Sequence, residues 1–192
     1  MRRAWSVNPG MLNANFCERL IKHALALPES EGQVGSADHQ RTDEEYRRSV
    51  VRWIQKTDTR FKPLLDFIEE TVYTINKSHF GFDLQQFTNI QFTEYDSAYA
   101  GHYTWHQDTD WFTPEFFQRK LSFVIQLSDP STYEGGDFEF HPKECNALPN
   151  PEEIRKQGTV VVFPSFIRHR VTPVTEGKRY SLVTWVEGLK FR

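Results

Sequence analysis

The chain carries two hydrophobic rhythms, and the change from one to the other divides it. After Pro9-Gly10, apolar residues fall at Leu12, Phe16, Leu20, Ile21, Ala24 and Leu25, the three-and-four spacing of one helix face. Asn13 or Asn15 is placed to cap this helix, and Pro28 to end it. A second set, Phe61, Leu64, Leu65, Ile68, Val72 and Ile75, repeats the spacing behind a capping Asp58, with Pro63 tolerable in the first turn. Residues 29–45 between the two sets are polar, contain Gly and show no period, which predicts an exposed loop. Residues 49–54 are short and rich in β-branched side chains, which predicts a strand.

From about residue 85 the period becomes two. Segments 87–95, 121–127, 137–140, 159–163 and 180–186 alternate between apolar and polar positions. Turn signals separate them: Asp129-Pro130, Glu134-Gly135-Gly136-Asp137, Pro149-Asn150-Pro151 and Glu176-Gly177-Lys178. Helices followed by six to eight short strands predict a strand-rich α+β fold, with helices against one face of a sandwich. No repeat, heptad or linker divides the chain. The expectation is one domain over 1–192. In it, 1–84 supplies supporting helices and the first strand or strands, and 85–190 forms the strand-rich core.

Composition narrows the class. Of 192 residues, 38% are hydrophobic and 26% charged, as in a globular domain. Sixteen Phe, seven Tyr and five Trp allow even a short chain a large dry core. A net charge of −3 gives no bulk basic field, so no nucleic-acid partner is expected. Two cysteines, Cys17 and Cys145, make neither a disulfide framework nor a four-thiolate metal site. The opening residues lack the apolar stretch of a secretory signal, and no apolar run nears the ~20 residues of a membrane span. A reduced, cytoplasmic protein without membrane contact is therefore expected. The pattern leaves the oligomeric state open.

Of the seven histidines, His106 stands two residues before Asp108 in Tyr103-Thr104-Trp105-His106-Gln107-Asp108. In an extended chain such residues face one side, so an imidazole and a carboxylate converge. His169 lies in another predicted strand and can complete the set. Two neutral imidazoles and one carboxylate leave three coordination positions open, the ligand set of non-haem Fe(II) oxygenases. Fe(II) with one carboxylate keeps a positive charge and favours an anionic chelating cosubstrate. If that cosubstrate is a diacid, its far carboxylate needs a fixed cation. Arg179 follows His169 across a turn containing Pro173, Glu176 and Gly177. A hairpin there would set Arg179 beside His169, with its guanidinium fork facing inward.

These motifs, with the text around them, resemble the 2-oxoglutarate- and Fe(II)-dependent dioxygenases. The likeness is to their prolyl-hydroxylase-like group, including small PKHD-type bacterial and phage hydroxylases. It runs through Tyr95-Asp96-Ser97, Gly101 to Asp108, Leu121 to Ser128, Glu134 to Phe138, Phe163-Pro164-Ser165, and His169 to Trp185. Residues 1–84 match only loosely. The resemblance implies a double-stranded β-helix, a jelly-roll or cupin-like core with N-terminal supporting helices. It implies His106, Asp108 and His169 as catalytic Fe(II) ligands and Arg179 as the partner of the 2-oxoglutarate C5 carboxylate. Tyr95 matches a tyrosine that lines the cosubstrate pocket. Gln126 stands where some relatives carry a tyrosine on 2-oxoglutarate, a departure that a Gln amide can still serve as a donor.

The implied activity is hydroxylation of an unactivated C–H bond, coupled to decarboxylation of 2-oxoglutarate to succinate. O2 is the oxidant, and ascorbate is an accessory reductant. The substrate it suggests is a prolyl or other peptidyl residue, with a free amino acid or small metabolite as the alternative. Trp111, Tyr103 and Arg170 are candidate substrate contacts, although Arg168 and Arg170 would point away from His169 on a strand. Trp111, Phe112, Phe116 and Phe117 divide between core and an aromatic lip, and Trp185 shares the face of Arg179. Arg47, Arg48 and Arg52 read as a solvated or sheet-edge face, with substrate contact as the alternative because they precede a strand placed beside the barrel mouth. His102 reads as a pocket-edge or hydrogen-bonding residue, and His23, His39, His79 and His141 as surface or packing residues. Two other classes compete: a cupin-like metal-binding module without redox activity, and a Zn(II) hydrolase on the same ligands. The first has no need of a diacid clamp such as Arg179. The second lacks a Glu beside the ligands to act as base.

Overall fold

The computed structural model describes residues 4–33 and 42–191. Strand β1 (Ser6–Asn8) precedes helix α1 (Ala14–Leu25), whose Asn13 side chain accepts a hydrogen bond from the Phe16 N–H as its cap. Strands β2 (Glu29–Glu31), β3 (Arg47–Arg48) and β4 (Val50–Ile54) follow. Asp58 caps a short 3₁₀ turn, Thr59–Phe61, that leads into α2 (Lys62–Ile75) with Pro in its first turn. Then come β5 (Gln86–Phe87), β6 (Ile90–Asp96), β7 (His102–His106), β8 (Phe117–Gln126), β9 (Tyr133–Gly135) and β10 (Phe138–Phe140). The short helix α3 (Pro151–Arg155), β11 (Val160–Pro164), β12 (His169–Val171) and the 16-residue β13 (Val174–Leu189) complete the chain.

Two antiparallel sheets result. The larger has nine strands along the path β1-β11-β8-β13-β6-β4-β2, with β5 and β9 also paired to β13; the smaller runs β10-β12-β7-β3. Side-chain alternation sorts the large sheet into two cores. Phe92, Leu121, Phe123, Ile125, Val160, Val162, Leu182 and Val186 pack outward against Leu20, Ala24, Leu64, Ile68 and Val72 of the helices. Tyr95, Val124, Val161 and Phe163 point the other way and meet Phe138, Phe140 and Val171 of the small sheet. This is the helix-backed jelly roll expected from the sequence. No helix among the described residues is long and apolar enough to cross a membrane.

Three expectations need correction. Residues 29–31 are not loop: they form an edge strand on β4, where exposed Glu29 meets Arg52 at 2.8 Å. Three exposed polar residues carry no alternation, so nothing in the pattern marked them as a strand. The rest of the 29–45 stretch falls partly outside the described residues, as does His39. Glu176-Gly177-Lys178 is not a turn between strands. It is continuous strand inside β13: Glu176 and Gly177 pair with Glu134 and Tyr133 of β9, just past a register shift between Val174 and Glu176, and Gly177 takes φ +67°. Finally, β12 and β13 do not form a hairpin. The link through Thr172-Pro173 crosses from the small sheet to the large one, so His169 and Arg179 face each other across the interior.

Candidate metal centre and its pocket

His106 ends β7 and His169 opens β12, and the two are paired in register. Asp108 lies beyond the end of β7. The backbone N–H groups of Asp108 and Thr109 both donate to the Ser165 carbonyl, at 2.8 and 3.1 Å. A pinned turn, rather than strand alternation, therefore aims Asp108, which corrects the geometry expected from the His-x-Asp spacing. Each histidine bonds through Nδ1 to a backbone carbonyl two residues earlier: His106 to Thr104 at 2.7 Å and His169 to Ile167 at 2.9 Å. A carbonyl only accepts, so Nδ1 donates, and Nε2 is the atom whose lone pair the neutral ring offers to a metal. Those Nε2 atoms lie 3.8 and 3.6 Å from the Asp108 carboxylate oxygens. One ligand atom from each of the three residues lies within 4.8 Å of the others. The Ser122 hydroxyl donates to Asp108 Oδ2 at 2.6 Å and meets the Ser165 hydroxyl at 2.9 Å.

The electrostatics suit a cation. Burial, with His169 beside it, holds the His106 imidazole well below its ordinary range and therefore neutral. Burial alone would raise the Asp108 carboxyl. His169, His106, Arg119 and the Ser122 hydroxyl outweigh it and keep the carboxyl below the usual range. A neutral His106 and an ionised Asp108, with His169 oriented by its own backbone hydrogen bond, suit a divalent metal. The donor set fits Fe(II).

Across the interior, Arg179 is 1% exposed. Its Nη2 donates to Gln126 Oε1 at 2.7 Å, its Nη1 reaches Ser181 Oγ at 3.5 Å, and its guanidinium carbon stands 5.3 Å from the centre of the Tyr95 ring. No carboxylate pairs with it among the described residues, and the Gln126 amide nitrogen is buried without a partner. A buried guanidinium without a counter-ion, beside a spare amide donor, is a vacant seat for a carboxylate.

One pocket of about 240 Å³ joins the triad to Arg179 and Tyr95. Tyr103 lines it, stacked on His106 with ring centres 3.4 Å apart, and so does Trp185. Gln126 reaches Arg179 from the rear. Two other expected contacts stand apart. Arg170 alternates away from His169, pairs with Glu139 at 2.7 Å and covers Trp105. Trp111 is half exposed and packs on Phe191, with ring centres 5.6 Å apart. Phe112 and Phe116 are exposed and Phe117 half-buried. Two further cations line the pocket: Arg47, for which the sequence offered substrate contact only as the alternative to a solvated face, and Arg119, which sequence reasoning missed. Arg47 is buried rather than solvated, as is Arg52, which pairs with Glu94 and Glu29. The signal for Arg47 was its place just ahead of the strand that became β4.

The comparisons agree with this geometry. The family model of the 2OG-Fe(II) oxygenase superfamily matches residues 90–187. A PKHD-type hydroxylase of Hyphomonas neptunium is 40% identical over 70 residues, 35% of this chain and 28% of that protein. A PKHD-type hydroxylase of Synechococcus sp. strain CC9902 is 37% identical over 86 residues, 44% of this chain and 36% of that protein. The chain thus spans about a third of the length of these relatives. Among solved structures, a Pseudomonas putida prolyl-4-hydroxylase superposes with a TM-score of 0.69 at 20% identity, over 98% of this chain and 94% of that one. A Trichoplax adhaerens prolyl hydroxylase, solved with a hypoxia inducible factor peptide, superposes with a TM-score of 0.74 at 16% identity, over 96% and 83%. Those two likenesses speak for the fold. With the family model covering half of it, the chain belongs to the 2OG-Fe(II) oxygenase superfamily.

Proposed function

We propose that this chain is an Fe(II)- and 2-oxoglutarate-dependent hydroxylase in which His106, Asp108 and His169 hold the metal and Arg179 holds the cosubstrate. The observation that carries this reading is the pairing of a His-Asp-His cluster with a buried, counter-ion-free Arg179 in one pocket. When bound, Fe(II), 2-oxoglutarate and O2 supply the oxidation of an unactivated C–H bond, with loss of CO2 and formation of succinate. The chain's own residues do the positioning. The Arg179 fork takes the far carboxylate of 2-oxoglutarate, and the free Gln126 amide donates a further hydrogen bond. Ser122 fixes the carboxylate plane of Asp108. Tyr95, Phe138, Val124 and Val183 wall the pocket against water.

The substrate proposed is a prolyl or other peptidyl residue, supported by the PKHD-type relatives and the prolyl-hydroxylase fold. A free amino acid or small metabolite is the second reading, favoured by the cations Arg47 and Arg119 that line the pocket.

Anaerobic optical titration of the metal-free protein with Fe(II) and then 2-oxoglutarate tests the core of the proposal. A metal-to-ligand charge-transfer band should saturate in the wild type. In Arg179→Ala it should require at least ten-fold more 2-oxoglutarate, since a charge-assisted pair is lost. Bound iron without a band would leave a metal module or a hydrolase in its place.

A further inference from the structure

Arg47 has no role in holding metal or cosubstrate, yet it is built into the same pocket. Only 7% of it is exposed. Its Nε donates to Ser49 Oγ at 2.8 Å and its Nη1 to the Gln33 carbonyl at 3.2 Å. Its guanidinium carbon stands 4.6 Å from the centre of the Tyr103 ring, which is itself stacked on His106. On the other side lies the backbone of Gly32, where an added Cβ would come within 2.6 Å of the Arg47 Nε. The guanidinium is thus clamped between a glycine and an aromatic face, two rings from the metal cluster. Its Nη2 is buried and has no partner, and no carboxylate pairs with Arg47 among the described residues.

Arg119 flanks the cluster on the Asp108 side. Its guanidinium carbon is 3.8 Å from the centre of the Trp185 ring, and it too makes no ion pair among the described residues. The charge balance makes these two cations informative. Fe(II), Asp108, doubly charged 2-oxoglutarate and Arg179 together sum to zero. Arg47 and Arg119 are therefore surplus to metal and cosubstrate, and among the described residues the further carboxylate lining the pocket, Glu31, is exposed. A buried guanidinium fork with an idle N–H is costly unless an anion completes it.

We infer that the substrate presents a carboxylate close to its reacting carbon, and that Arg47, with Arg119, is the specificity-determining pair that receives it. This rests on the hydroxylase reading above and narrows its substrate class. The carboxylate has two sources: an acidic side chain next to the target residue of a peptide, or the α-carboxylate of a free amino acid.

The test uses the full chain loaded with Zn(II) and 2-oxoglutarate. Calorimetry measures binding of end-blocked prolyl peptides flanked by Asp or Glu, of their Asn and Gln counterparts, and of free L-proline and L-prolinamide. Acid members should bind at least ten-fold more tightly than their amides. Arg47→Gln should erase that preference, and Arg47→Lys, which keeps the charge but loses the fork, should retain part of it. Both variants should keep the wild-type Fe(II)–2-oxoglutarate band, which also shows that they are folded. Preference among the blocked peptides identifies an acidic side chain, and preference for L-proline over its amide identifies the α-carboxylate. The inference is overturned if no acid member binds better than its amide, or if the preference survives Arg47→Gln. A wild type that forms no band would instead overturn the hydroxylase reading itself.

Discussion

At the scale of single residues, the site is a set of charges that each need a partner. Among the described residues, Arg179 donates to the Gln126 carbonyl oxygen and the Ser181 hydroxyl and to no carboxylate. Gln126→Glu would set a carboxylate at the same 2.7 Å position and give the guanidinium a resident counter-ion. The 2-oxoglutarate requirement should then rise at least ten-fold while Fe(II) binding is unchanged, as read by cosubstrate titration of the iron-loaded protein. Ser122 acts one bond further out. Ser122→Ala removes the donor at 2.6 Å from Asp108 Oδ2 and should weaken metal binding by about 10-fold or more, measured by Zn(II) calorimetry. Ser122→Thr, which keeps the hydroxyl, should restore it. The ligands and Arg179 were legible in the sequence because their chemistry is carried by residue type and order. Arg47 was not. Its clamp is assembled from Gly32, Ser49 and Tyr103, and an Arg-Arg pair ahead of a strand reads equally as a solvated edge.

At the scale of elements, β13 does the most to aim the site. It changes partner from β9 to β6 and β8 along its length, and the change begins at Gly177, the last residue paired with β9. There φ is +67°, and an added Cβ would come within 2.1 Å of the Thr132 carbonyl oxygen. Gly177→Ala should therefore cost about 1–3 kcal/mol in a denaturant melt. It should also raise the 2-oxoglutarate requirement, because Arg179 sits two residues along the displaced strand. A melt unchanged from wild type would show that the strand relaxes freely at this position. The same glycine explains why the sequence reading failed here. A positive-φ Gly between polar residues serves a turn or an irregular strand alike, and what decides is pairing with Tyr133 and Glu134, far away in the chain. The helices were read more faithfully. Their period, their caps at Asn13 and Asp58 and the proline at the start of α2 are all local signals.

At the scale of the whole molecule, the barrel depends on chain that precedes it. Outward-facing Phe92, Leu121, Phe123, Ile125 and Leu182 are covered by α1 and α2, and β2, β3 and β4 extend the two sheets. Residues 85–192 alone would expose that apolar face and leave β6 and β7 with open edges. We therefore expect the 85–192 fragment to lack a cooperative urea transition and to bind a hydrophobic dye, where the full chain melts in one step. A cooperative melt of the fragment would make the N-terminal segment an accessory rather than part of the fold. Ligand linkage offers a test within the intact chain. Cosubstrate that binds only the folded state, at a hundred-fold excess over its dissociation constant, adds about 2.7 kcal/mol of stability. For a chain of this size that is about 5–10 °C in Tm. The shift should need Zn(II) and 2-oxoglutarate together, and Arg179→Ala should lose the part owed to 2-oxoglutarate while keeping the part owed to Zn(II). An equal shift in wild type and variant would mean that 2-oxoglutarate binds without the Arg179 clamp, so the two halves of the site would not be coupled through the barrel as the buried guanidinium implies.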